Sequence, residues 1–154
     1  MPGKIDARLA ELGLTLPEPA APVANYVPYV VTGNLVFISG QVSMLGDRRI
    51  TGKVGTDISV EAGQEAARAC GLSILAHLKA ACGGDLDRVR RCVKLGGFVN
   101  CTGEFGDMPK VINGASDLMV QVFGDAGRHA RFAVGAPGLP FNFAVEIDAV
   151  FEIA

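Results

Sequence analysis

From Val145 to Ile153 the side chains alternate: Val145, Ile147, Ala149, Phe151 and Ile153 are apolar, and Glu146, Asp148 and Glu152 interleave with them, Val150 being the exception. A period of two puts every second side chain on one face of a sheet, so this spacing predicts a strand with one dry face. A shorter β-like run follows Arg131. If the two runs pair through the GAPGLP connection, a guanidinium and a carboxylate end near each other on a largely apolar sheet, which is costly unless the fold uses them. Two other stretches carry a helical period. Ala67, Cys70, Gly71, Ile74, Leu75, Leu78 and Cys82 follow Ser59, a good N-cap, and stop at Gly83-Gly84. Val111, Ile112, Ala115, Leu118, Met119, Val122 and Phe123 form a second stripe, with Asp107 placed to cap it, Pro109 in its first turn and Gly124 at its end.

Weaker signals fill the remainder. Ile5, Leu9 and Leu12, with Gly13 behind them, predict a short helix, and PEPAAPVAN after it reads as an extended linker. Val27–Val31 and Leu35–Ile38 flank Thr32-Gly33-Asn34 as a hairpin candidate. The glycine-rich, charged stretch from Ser39 to Asp57 reads as mostly loop, with one short strand near Arg49–Thr51. Val89 to Val99 predicts a long strand in which Gly96-Gly97 marks a bulge or a close approach. The order ββ(β)αβαββ predicts an α+β sandwich with both helices on one face of the sheet. Residues 1–21 form an N-terminal extension, and 22–154 a single domain.

Composition narrows the classes. A chain of 154 residues suits about one domain, and its net charge of −2 lacks the basic excess used on nucleic acid. The opening MPGKIDARLAELG has no continuous apolar core of a leader, and no stretch reaches the length of a membrane span, which makes the cytosol the default compartment and a membrane partner unexpected. Cys70, Cys82, Cys92 and Cys101 are too widely spaced for a C-x-x-C motif, and His77 and His129 complete no zinc pattern, so no metal or cofactor is expected. With 49% hydrophobic residues and no membrane segment, the second face of the sheet calls for burial in an oligomer.

The stretches NYVPYVVTGNLVFISGQVS (25–43) and ARFAVGAPGLPFNFAVEIDAV (130–150), with a capped helix after the first, together resemble the RidA/YjgF/YER057c family, often labelled endoribonuclease L-PSP. The resemblance runs from Pro22 to Ala154. It implies a chorismate-mutase-like (bacillus type) fold with a mixed sheet, a homotrimer whose sheets form a central barrel, and sites in the clefts between subunits. For the best-studied branch it implies cofactor-independent hydrolysis of 2-aminoacrylate and related enamine/imine acids to 2-keto acids and ammonia. Position by position it assigns the carboxylate-binding arginine to Arg131, the site glutamate to Glu146, the site tyrosine to Tyr26, the SGQ serine to Ser39 and the second-helix asparagine to Asn113. Phe132 and Ala133 stand where that branch usually has serine and cysteine, and Cys101–Gly106 is longer than usual.

The chemistry suits those residue types. An arginine fork binds a carboxylate through two hydrogen bonds and does not titrate away, while a partly buried glutamate can position water and move protons. Each residue also has a plainer role: an edge-strand charge for Arg131, a structural ion-pair partner for Glu146, half-buried polar groups for Tyr26 and Ser39, a helix amide for Asn113. Asp148 and Glu152 share Glu146's face, so parity does not choose among the three. Two other functions stay open at this stage. One is a non-catalytic trimeric binder of a small carboxylate-bearing metabolite such as a keto acid. The other is an endoribonuclease using the basic cluster Arg88, Arg90, Arg91 and Lys94, which reads more simply as a charged strand edge.

Overall fold

The computed structural model describes residues 3–19, 21 and 24–154; Pro22 and Val23, beside the expected domain boundary, lie outside the described residues. Ten elements follow in order: α1 (Lys4–Glu11), β1 (Tyr29–Thr32), β2 (Leu35–Val42), β3 (Met44–Leu45), β4 (Arg48–Arg49), α2 (Val60–Ala81), β5 (Val89–Asn100), α3 (Met108–Phe123), β6 (Ala130–Ala136) and β7 (Val145–Ile153). Five strands make one mixed sheet in the order β1-β2-β7-β5-β6, and β3 pairs with β4 in a separate ribbon. β7 lies antiparallel to both β2 and β5, whereas β6 runs parallel to β5 at the edge. This is the mixed-sheet α+β architecture expected from the sequence.

The local reasons match the sequence signals. Ser59 accepts from the Ala62 amide at 3.1 Å and opens α2. The dry side chains of β7, from Val145 to Ile153, are buried beneath the helices. Glycines bring α2 and α3 together: a Cβ on Gly71 would stand 2.8 Å from a Leu118 methyl, and one on Gly114 would overlap the Gln64 carbonyl oxygen. Backbone cannot give way as a side-chain tip can. Gly114→Ala is therefore expected to cost about 2 kcal/mol, lowering Tm in a thermal melt by roughly 4–8 °C for a domain of this size.

Three sequence expectations are corrected. β6 and β7 do not pair, because β5 lies between them. The stretch from Ser39 to Asp57 begins as strand rather than loop: β2 continues to Val42 through a register shift between Ile38 and Gln41, and the short ribbon β3–β4 follows before the chain loops to α2. Asp107 holds the N-cap position of α3 without a side-chain hydrogen bond. Gly96 and Gly97 prove to be a close approach, since a Cβ would stand 2.7 Å from the Phe132 ring on one face and 2.7 Å from Ile112 on the other. The register shifts in β5 fall instead at Val89–Arg91 and Cys92–Lys94.

α1 is docked on the helical side. Asp87 accepts from the Lys4 and Ile5 amides, both at 2.9 Å, and these bonds hold its carboxyl below the usual range. Lys79 pairs with Asp6 at 3.1 Å and Leu9 is buried. Among the described residues no helix covers the opposite face of the sheet. Val30, Phe37, Val150, Phe98 and Val134 share it by register, with Phe132 edge-on to Phe98 at 5.3 Å. Among the described residues no helix is long and apolar enough to cross a membrane.

Candidate functional site

The register shift in β2 builds the first group of site residues. Ser39 Oγ donates to the Val27 carbonyl at 2.7 Å and the Ser39 amide to Pro28 at 2.9 Å, which ties the segment bearing Tyr26 to the strand. A Cβ on Gly40 would sit 3.2 Å from Cδ of Glu146, so the glycine lets that carboxylate lie against the backbone of β2. Burial raises the pKa of Glu146, and the negative charge of Asp148 on the same face raises it further. Tyr26, Ser39 and Glu146 line one cleft of about 420 Å³, together with Arg49, His77 and Phe141.

The far rim of this cleft is a strained loop. Phe141 and Asn142 both adopt positive φ, 52° and 62°, a conformation that persists only where surroundings enforce it. Asn100 supplies the enforcement. It is fully buried; its Nδ2 donates to Asn142 Oδ1 and to the Phe143 carbonyl, both at 3.1 Å. Its Oδ1 accepts from Lys53 Nζ at 3.0 Å, and Lys53 also donates to the Pro137 carbonyl. Phe141 is thereby held on the rim with 82% of its surface exposed.

Arg131 belongs to a second group. It pairs with Leu95 and so faces the helices, whereas Glu146 pairs with Phe98 on the other face. Two strand spacings, about 10 Å, separate their strands, and the two side chains leave the sheet on opposite faces. Arg131 Nη1 donates to Asn113 Oδ1 at 2.8 Å and to Ser116 Oγ at 3.0 Å, which uses both of its hydrogens. Nη2 makes only a 3.5 Å contact with the Pro109 carbonyl. Among the described residues Nε has no hydrogen-bond partner, so the Nε/Nη2 edge, the one that offers two parallel N–H groups, is left open.

The five residues expected from the sequence thus fall into two sets, Tyr26, Ser39 and Glu146 on one side and Arg131 with Asn113 on the other. One chain does not bring the sets together. Phe132 points away from Arg131 onto the bare face, beneath Lys94 at 5.4 Å from its ring centre, and Ala133 shares Arg131's face. The basic cluster disperses: Arg88 donates to the Ala154 carbonyl and Arg91 to that of Arg128. All four cysteines are buried free thiols, and burial pushes Cys92 up to about 12. Among the described residues no three His, Cys, Asp or Glu side chains gather closely enough for a metal ion.

Sequence reasoning missed four neighbours. Arg49 lies in the Glu146 cleft, 5.8 Å from the Phe143 ring centre, with nothing in its sequence context to mark it. His77 lines the same cleft as a nearly buried side chain whose Nδ1 has no hydrogen-bond partner among the described residues, and burial lowers its pKa. Ser116 and His129 sit beside Arg131, and their spacing from Asn113 and Arg131 was the available signal.

A family model described as "YjgF/chorismate_mutase-like, putative endoribonuclease" matches residues 6–152. Protein TCP17 of Trypanosoma cruzi is 49% identical over 154 residues, covering 98% of this chain and 95% of that protein. The crystal structure of Atu1372 from Agrobacterium tumefaciens, a protein of unknown function, is 51% identical with a TM-score of 0.91, over 97% of this chain and 92% of that one. A crystal structure from Shewanella oneidensis, described as that of "a putative endoribonuclease", is 36% identical with a TM-score of 0.93, over 98% of this chain and 100% of that one.

Proposed function

Because the chain belongs to the YjgF/chorismate mutase-like family, we propose that it hydrolyses reactive enamine and imine acids to 2-keto acids and ammonia, without a cofactor, in a homotrimer. The observation that carries this reading is Arg131, whose guanidinium is fixed on one side by Asn113 and Ser116 and free along its Nε/Nη2 edge. That edge matches a carboxylate. Glu146 supplies the second requirement, a carboxyl group whose raised pKa suits proton transfer nearer neutral pH.

The trimer joins the two sets. The bare apolar face, with Phe37 45% and Phe98 38% exposed, is suited to burial against two other sheets. In that arrangement Arg131 and Asn113 of one subunit meet Tyr26, Ser39 and Glu146 of the next. The enamine CH2=C(NH2)–COO⁻ takes a proton from solvent at its methylene carbon and becomes the iminium CH3–C(=NH2⁺)–COO⁻. Water held by Glu146 adds to C2, forming the C–O bond while its proton passes to the carboxylate. The C–N bond of the carbinolamine then breaks as the nitrogen takes the proton from Glu146, the hydroxyl proton returns to solvent as the C=O bond forms, and pyruvate and ammonia leave. Tyr26 and Ser39 orient water and substrate.

The endoribonuclease reading fits less well. Acid–base cleavage of RNA is helped by paired titrating groups, yet His77 is buried and His129 is engaged with Ser116 and Gly127. Light scattering is expected to give three 16.0 kDa chains; a monomer at micromolar concentration rules out the shared site. The decisive test measures ammonia and keto-acid release from freshly generated 2-aminoacrylate. Remixing inactive Arg131→Ala with inactive Glu146→Gln chains should restore about a quarter of wild-type activity, since one site in four receives both intact residues. No recovery after verified exchange overturns the shared site. No release by wild type above the spontaneous rate overturns the deaminase and favours a metabolite-binding trimer.

A further inference from the structure

Two residues outside the five converge on Arg131. Ser116 lies one helical turn beyond Asn113 on α3, and its Oγ, which accepts from Arg131 Nη1 at 3.0 Å, stands 2.8 Å from His129 Nε2. The other ring nitrogen, Nδ1, stands 2.6 Å from the Gly127 carbonyl oxygen. A carbonyl only accepts, so Nδ1 carries the hydrogen; in the neutral ring Nε2 then only accepts, and it takes the Ser116 hydroxyl hydrogen. An arginine only donates, so the lone pairs of Ser116 Oγ face the guanidinium. Every donor has an acceptor in one direction, from Arg131 through Ser116 and His129 to Gly127.

The far end of this chain is fixed. Gly127 is buried, and a Cβ there would overlap the Met119 carbonyl oxygen, so the segment is pressed directly on the backbone of α3. The near end determines orientation. With Asn113 alone, one hydrogen bond would hold Nη1; with Ser116 added, two bonds in different directions fix the plane of the guanidinium and hence the aim of its open edge. Ordering that group before the ligand arrives removes a cost otherwise met on binding.

We propose that His129, acting through Ser116, is a positioning residue that holds Arg131 in the orientation required to capture a carboxylate. The inference rests on the reading of Arg131 as the substrate anchor. It assigns a role to the imidazole that involves no proton transfer, and it ties the serine of α3 to the same role.

The first test needs no activity. ¹⁵N spectra of the histidine rings in the full chain, at a pH where the ring is neutral, are expected to show His129 protonated at Nδ1, the peak being identified by its loss in His129→Gln. An Nε2–H tautomer overturns the chain as drawn. The second test compares KM for 2-aminoacrylate and the dissociation constant for pyruvate. His129→Phe and Ser116→Ala should each raise both about tenfold, the size of one lost hydrogen bond to a charged group, with kcat changed less than about twofold. The double variant should be no worse than either single one, because both break the same chain. His129→Gln, which offers an amide oxygen to Ser116, should recover most of the affinity. His129→Phe with wild-type affinity, or singles whose effects multiply in the double variant, overturns the positioning role while leaving the anchor intact. Wild-type pyruvate affinity in Arg131→Ala overturns both.

Discussion

Arg131→Ala is expected to lower kcat/KM for 2-aminoacrylate by about a thousandfold, equivalent to about 4 kcal/mol, the usual scale for removing one partner of a hydrogen-bonded charge pair. The loss should appear with little loss of stability, because Arg131 is only partly buried and its partners Asn113 and Ser116 are partly open to solvent. Arg131→Lys separates charge from geometry. An ammonium keeps the attraction but cannot reproduce two parallel N–H groups, so it should recover only a small part of the rate. A lysine variant equal to wild type would show that charge alone suffices, and that the fork built by Asn113 and Ser116 has no bearing on catalysis. Steady-state kinetics on both variants, with thermal melts alongside, decides the point.

Glu146→Gln is the second large effect, with turnover expected to fall by two to four powers of ten, the range for a lost general acid–base group. Its stability should move the other way. Burial, aided by Asp148, raises the carboxyl pKa in the fold, so the ionised form is less favourable there than in the unfolded chain. The resulting cost is fully present above the folded-state pKa and vanishes below the unfolded value of about 4.3. Glutamine removes it. The variant should therefore melt at or above the wild-type temperature at neutral pH, with the advantage disappearing as the pH drops toward 4. Wild-type activity should carry an acid limb that follows the same ionisation. A variant that is both inactive and markedly less stable at neutral pH would instead mark Glu146 as a structural partner.

The helices were readable because their signals are local. Apolar stripes of the right period, Ser59 at one end and glycine at the other, need no knowledge of the rest of the chain. Strand positions were readable where alternation was strong, as in β7, and failed at Ser39–Val42. There serine, glycine and glutamine look like loop, but pairing with β7, more than a hundred residues away, holds them extended. The same non-local choice decides β6. A short connection between two strands suggests a hairpin, yet this one is drawn away by contacts of Asn142 and Ala144 with Gly52 and Ile50, and β5 takes the place beside β7.

Side-chain parity is lost across such a connection, so the sequence pattern did not reveal that Arg131 and Glu146 face opposite ways. The grouping of Tyr26, Ser39 and Glu146 was legible only through family resemblance. Ser116 follows Asn113 by three on a helix and so was recognisable as sharing its face, and His129, just before β6, precedes Arg131 by two, the spacing of one strand face. That the two faces meet depends on α3 packing over β6, which no local pattern encodes.

The place of β7 also bears on how the protein is made. Of the five strands in the main sheet it is synthesised last and stands in the middle, with β2 on one side and β5 on the other. A nascent chain that has emerged only as far as β6 holds two strand pairs, β1-β2 and β5-β6, with no strand to join them and with the apolar undersides of α2 and α3 uncovered. Closure of the sheet therefore waits for β7, the strand that both pairs need. The interval before β7 arrives is when those apolar surfaces are most open to wrong contacts.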